Sequence, residues 1–189
     1  MKKKLVILAS GSGSNAERIV SFFRKNGAAE VSLVITNNPK AGVLERCRRL
    51  EIPTMIANRD DFYTNHKVLQ LLKVEQPDLI ILAGFLWLIP TEILMTFANR
   101  IINIHPALLP KYGGKGMYGH HVHEAVIANH EIKSGITIHF VNEIYDAGQI
   151  IFQAETPLTT TDTPESLAEK IHQLEHKHFP EIIQSLLKN

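Results

Sequence analysis

The 189 residues carry 44% hydrophobic and 21% charged side chains, enough to bury a substantial core as one domain and too apolar for a disordered chain. Lys and Arg number 20 against 19 Asp and Glu, a formal net charge of +1, so no whole-protein field draws nucleic acid or an anionic membrane and any anionic ligand must be held locally. One cysteine, Cys47, excludes an internal disulfide framework and a cysteine-rich metal site, and fits a reducing compartment.

The chain opens on Met1-Lys2-Lys3-Lys4, charged like the start of a signal peptide, but the apolar run that follows stops after about five residues, too few for secretion. No segment approaches the roughly 18 apolar residues of a membrane span, so a soluble, cytoplasmic protein is expected. Short apolar runs at residues 5–9, 31–36, 79–83 and 101–105 read as buried strands. Between them, helical spacing appears at residues 15–25, 41–50, 60–74 and 92–98, and residues 53–57 form a weaker strand whose shortness suggests a sheet edge. Cys47 lies in the second of these helices as a packed thiol. Strands alternating with helices imply a parallel sheet with crossover helices.

After residue 106 come a glycine-rich loop, a helix at 121–129 and two extended runs at 134–141 and 149–157. The first run alternates Ile136, Ile138 and Phe140 with Thr137, His139 and Val141, a strand with unequal faces. A closing helix is expected over 163–187, opened by the cap Thr163-Pro164-Glu165-Ser166 and interrupted by Pro180. With no repeat or linker, residues 1–189 read as one α/β domain: a phosphate-binding half (1–100) and a second half (101–189) ending in an antiparallel strand pair.

Two motifs carry chemistry. Strand one runs into Ser10-Gly11-Ser12-Gly13-Ser14-Asn15 at the start of a helix, where backbone amides and the helix dipole suit a phosphate. The third position of a Gly-x-Gly-x-x-Gly fingerprint is Ala16, which leaves a dinucleotide reading open, and no Gly-Lys-Ser/Thr follows. The second motif, Asn103-Ile104-His105-Pro106-Ala107-Leu108-Leu109-Pro110, leaves a strand with Asn103 and His105 on one side and prolines stiffening the exit. An amide donor and an imidazole suit stabilising and protonating an oxyanion, and Asp146, in a turn between strands, would orient His105 and favour its charged form if the sheet brings the two together. Six histidines fall between residues 105 and 139, but His120-His121-x-His123 lacks the spacing of a helical metal pair, so no metal is expected and those three are read as surface residues.

These motifs, with Ala83-Gly84-Phe85, Gly135-Ile136-Thr137-Ile138-His139-Phe140-Val141, Asp146-Ala147-Gly148-Gln149-Ile150-Ile151 and Gln173-Leu174-Glu175-His176, resemble the glycinamide ribonucleotide formyltransferases over nearly the whole chain. The resemblance implies a Rossmann-like formyltransferase fold and transfer of a formyl group from 10-formyltetrahydrofolate, a co-substrate, to the amine of glycinamide ribonucleotide in purine biosynthesis. Carried over by position, it implies Asn103, His105 and Asp146 as the catalytic trio. Gly13, Ser14 and Asn15 would hold the phosphate, with His172 and Glu175 on the rest of the ribonucleotide. Arg59 would meet the folate's glutamate tail, while Leu86, Trp87, Leu88, Ile89, Asn103, Asn142, Glu143, Ile144, Tyr145 and Asp146 would bind the folate. Trp87 stands where some relatives carry arginine, and the loop 111–119 looks longer and richer in glycine than theirs. The alternatives are a formyltetrahydrofolate hydrolase-like enzyme and a non-catalytic nucleotide-binding module. A methionyl-tRNA formyltransferase would be longer and carry an RNA-binding domain. Partners are expected to be the two small substrates, without nucleic acid or membrane; the oligomeric state stays open.

Overall fold

The structure, a computed structural model, describes residues 2–188. In chain order it runs β1 (Lys3–Leu8), α1 (Ser14–Asn26), β2 (Ala29–Thr36), α2 (Gly42–Arg49), β3 (Thr54–Ile56), a single π-helical turn (Asp60–Thr64), α3 (Lys67–Glu75), β4 (Leu79–Leu82), α4 (Thr91–Thr96), β5 (Ile101–His105), α5 (His120–Ala128), β6 (Lys133–Phe140), β7 (Ile150–Pro157) and α6 (Pro164–Leu186). The strands form one sheet in the order β3-β2-β1-β4-β5-β6-β7. β1 to β5 are parallel, β6 runs antiparallel to β5, and β7 antiparallel to β6. The short third strand is the sheet's edge, as its length implied.

β1 divides the core: Leu5 and Ile7 pack on one face with Ile19, Phe23, Ile171 and Phe179, and Val6 and Leu8 on the other with Phe62, Leu72, Ile80 and Phe97. Burial on both faces is what near-continuous apolar strands encode. The chain leaves β1 toward β2 and β3, then returns to place β4 on the opposite side, so β1 and β4 flank a switch in strand order. Ligands of open α/β sheets bind beyond the carboxyl ends of the strands at such a point. There the Ser10 amide donates to the Gly84 carbonyl at 3.0 Å, joining the two loops that follow the switch strands.

Three expectations from the sequence need correction. The helix expected over 60–74 is broken: Asn58 and Asp61 exchange backbone-to-side-chain hydrogen bonds and Asp61 pairs with Lys67 at 2.8 Å, so the chain closes a π turn and restarts after His66 at φ 53°. Thr137 and His139 on β6 are as buried as Ile136 and Ile138, because the loop after β5 covers Thr137 through Ala107 and Leu109 while Asn103 and Asp146 cover His139. Finally, Pro180 does not interrupt α6. A proline withholds the amide that would bond the carbonyl four residues back, and here the Arg18 guanidinium Nε donates to that His176 carbonyl at 2.9 Å.

Candidate active site

A cleft of about 690 Å³ opens at the carboxyl ends of β1, β4 and β5 and is walled on the far side by α5 and α6. Its floor at one end is the turn after β1. Gly13 sits at φ 78°, and a Cβ there would fall 2.5 Å from Val43, so only glycine lets the loop settle on α2 before α1 begins. The Asn15 amide nitrogen donates to Glu175 Oε2 at 2.9 Å, tying the loop to α6. His172 Nδ1 reaches the same carboxylate oxygen at 2.9 Å, and this bond to Glu175 raises the His172 pKa above the ordinary imidazole range. Glu175 is buried with Asn15 and His172 as its partners. Gly13, Ser14, Asn15, His172 and Glu175 therefore meet in one corner of the cleft.

At the other end stand the residues leaving β5. Pairing Asn103 with His139 and His105 with Thr137, β6 sets the register that carries the following turn back over the strand end. That turn brings Asp146 in, at φ 54°, with Oδ2 accepting from the Gly114 amide at 2.9 Å and lying 3.5 Å from His105 Nδ1. Asn103 Nδ2 donates to His139 Nε2 at 3.1 Å and, more weakly, to Asp146 Oδ1 at 3.4 Å. His139 Nδ1 faces its neighbour's carbonyl, Phe140 O, at 2.8 Å, which puts the proton on Nδ1 and leaves Nε2 as the acceptor for Asn103. Asn103 thus enters the cleft with its amide already oriented.

His105 Nε2 lies 2.7 Å from the Tyr112 carbonyl oxygen and so carries a proton. Burial, at 3% exposure, pushes its pKa below the ordinary imidazole value, against the opposing pull of Asp146 and the Tyr112 carbonyl. The expectation of a charged resting His105 is therefore corrected: the ring is neutral near pH 7, with both nitrogens facing acceptors that would welcome a transient charge. Burial pulls Asp146 upward, but the His139 and His105 rings, protonated in the acid range where a carboxylate titrates, and the Gly114 amide outweigh it, so its pKa is lowered and it is ionised. The exit loop is fixed by Thr137, whose hydroxyl donates to Ala107 O at 2.7 Å and accepts from the Leu109 amide at 3.0 Å.

The expected folate residues divide. Leu86, Tyr145 and Asp146 line the cleft, and Asn142, Glu143 and Ile144 form the exposed turn beside it. Trp87 is half-buried against Phe62, Tyr63 and Phe85, and the Arg59 guanidinium stacks 5.2 Å over its ring, so the tryptophan packs against the cation. Leu88 gives its carbonyl to the Tyr63 hydroxyl, Ile89 is buried in the core, and Arg59 and Ile89 stand outside the residues that line the cleft. His123 is also corrected: far from being a surface residue, it is 5% exposed at the cleft wall, its Nδ1 has no hydrogen-bond partner, and burial holds its pKa down to about 4. His120 and His121 are exposed beside Glu124, and among the described residues no group of three or more His, Cys, Asp or Glu is arranged for a metal ion. Sequence reasoning missed His139 and Tyr112 as partners of the trio; a histidine inside a buried strand was the available signal for the first.

An anion-suited loop and an amide–imidazole–carboxylate group thus face one cleft at a strand-order switch of an α/β sheet. The chain belongs to the formyl transferase family, whose model matches residues 3–183. It is 41% identical to the chloroplastic phosphoribosylglycinamide formyltransferase of Arabidopsis thaliana, over 98% of this chain and 65% of the relative, so it spans about two thirds of the plant protein's length. The phosphoribosylglycinamide formyltransferase of Bacillus subtilis is 37% identical over 98% of this chain and 95% of the relative. The crystal structure of phosphoribosylglycinamide formyltransferase from Bacillus halodurans superposes with a TM-score of 0.89 at 37% identity, covering 99% of this chain and 96% of that one.

Proposed function

We propose that the chain, acting as a single formyltransferase domain, transfers the formyl group of 10-formyltetrahydrofolate to the amine of glycinamide ribonucleotide, giving N-formylglycinamide ribonucleotide and tetrahydrofolate. The observation that carries this reading is that the anion loop at Gly13 and the trio Asn103, His105 and Asp146 open into one cleft, which offers a seat for a phosphate and a reacting centre in the same cavity. The names and high coverage of the bacterial relatives support the same substrate pair. Among the described residues no helix is long and apolar enough to cross a membrane. From the two small substrates named for the relatives we infer a reaction in the cytoplasm, independent of nucleic acid.

In this reading the ribonucleotide phosphate accepts from amides of the loop 12–14, and Glu175, held by Asn15 and His172, accepts from sugar hydroxyls. The folate lies at the end bounded by Leu86 and Tyr145, with Arg59 left for its carboxylate tail. As the amine attacks the formyl carbon, the oxyanion forms beside the oriented Asn103 amide. The neutral His105 takes the proton that the attacking nitrogen releases, Asp146 balances the charge, and the same proton passes to the departing folate nitrogen. A resting neutral imidazole suits this sequence, since a proton must be received before it is given.

The test is to supply both substrates and follow tetrahydrofolate release with and without the ribonucleotide. Release that requires the ribonucleotide, with formylated product, is expected. Release without it would mark a hydrolase, and phosphate-ligand binding without release a non-catalytic module.

A further inference from the structure

The anion loop is held in shape from behind by α2. The Val43 amide donates to the Gly11 carbonyl at 3.1 Å, and one turn later Arg46 Nε donates to the Ser12 carbonyl at 2.8 Å. The next carbonyl, Gly13 O, is taken by the Glu17 amide of α1 at 3.0 Å. Because a trans peptide points its N–H opposite to its C=O, the two carbonyls drawn toward α2 turn the Ser12 and Gly13 amides away from it, and the one drawn along α1 leaves the Ser14 amide at the open end of that helix. Arg46 also pairs through Nη1 with Glu17, whose other oxygen is taken by Arg49. Glu17 stands in the first turn of α1, where an uncompensated carboxylate would repel an arriving dianion, so Arg46 both orients a loop peptide and shares with Arg49 the neutralisation of the charge behind it. Arg46 itself does not line the cleft.

We propose that Arg46 is a positioning residue for the substrate's phosphate: it acts through the Ser12–Gly13 peptide and Glu17, without touching the ligand. This rests on the reading of the loop as the seat of the ribonucleotide phosphate. A surface arginine on α2 thereby sets affinity for the phosphorylated end while leaving chemistry at the trio untouched.

The experiment compares wild type, Arg46→Gln and, as a charge control on the same helix, Arg48→Gln, whose arginine pairs with Glu45 of its own helix. Each is assayed with glycinamide ribonucleotide and with its dephosphorylated ribonucleoside. For Arg46→Gln, KM for the ribonucleotide should rise roughly tenfold or more, the scale of one hydrogen bond to a charged group. Its kcat should change less than threefold, with KM for 10-formyltetrahydrofolate and kcat/KM for the ribonucleoside at wild-type values. Arg48→Gln should match wild type throughout. An equal loss on the ribonucleoside would reduce Arg46 to a structural role, and an equal loss in Arg48→Gln would reduce the effect to bulk charge; either overturns the proposal. Wild-type protein that prefers the phosphorylated substrate, with an Arg46→Gln KM within twofold, overturns it alone. Wild-type protein without that preference overturns the reading of the loop as well.

Discussion

Asp146→Asn is the sharpest probe of the proton-transfer arrangement. The asparagine keeps the shape of the turn and one oxygen for the Gly114 amide, but it replaces a negative charge 3.5 Å from His105 Nδ1 with a neutral group able to donate to that nitrogen. At this separation, and with an effective dielectric of about 20, a full charge pair is worth at most about 5 kcal/mol. The Asp146 side chain is 11% exposed at the cleft edge, so water screens part of this, and about 2–3 kcal/mol is the working figure. That converts to roughly 30- to 150-fold in a step that places positive charge on His105. The sign follows from the free protein, where His105 is already below the ordinary imidazole value: removing the anion lowers it further, so the acid limb of kcat/KM that belongs to His105 moves to lower pH while the plateau falls. The assay is kcat/KM from pH 5 to 9 beside an NMR titration of the His105 ring, with a thermal melt to show that the fold persists. A plateau within threefold of wild type, with an unmoved His105 titration, would refute the partnership.

Asn103→Ala should cost about 10²–10³ in kcat, the usual loss for an oxyanion donor, with a melting temperature close to wild type; retained turnover removes the amide from the mechanism. Gly148→Ala would set a Cβ 1.7 Å from the Phe140 carbonyl oxygen, so the turn carrying Asp146 must shift. A loss of about 1–3 kcal/mol in stability is expected, a drop of several degrees in the melt, together with reduced activity. His123, held down to about 4, makes stability pH-dependent: the unfolded chain binds its proton near 6.5 and the folded one resists, so stability is full above 6.5 and declines as pH falls toward 4. A gap of that size bounds the effect at about 3 kcal/mol, read as a fall in urea midpoint between pH 7.5 and 4.5 that His123→Leu flattens.

Much of the sheet is legible in the sequence because its strands are apolar on both faces and its turns carry glycine. The edge position of β3 followed from its shortness alone. What escaped was geometry that depends on distant partners. The break at residues 65–66 comes from Asp61 bonding Asn58 and Lys67, a local competition that helical spacing does not record. The continuity of α6 through Pro180 depends on Arg18, 158 residues away in sequence. At the site, the residue types at 103, 105 and 146 suggested chemistry, but their meeting depends on the β5–β6 register. The resting charge of His105 was misjudged for a related reason: a neighbouring carboxylate is visible as a motif, whereas the depth of burial that outweighs it belongs to the folded packing.

The proline in α6 has one more consequence. The carbonyl it leaves open at His176 is a socket that Arg18 fills, and the next residue back, Glu175, takes the Asn15 side chain. The last helix is thereby keyed to the first, in axial position and in rotation, at the point where the nucleotide corner closes. A ribosome-bound chain that has displayed the trio and the glycine loop but not yet α6 presents half a pocket. Capture of a phosphorylated ligand in that corner therefore requires α6 docked on α1.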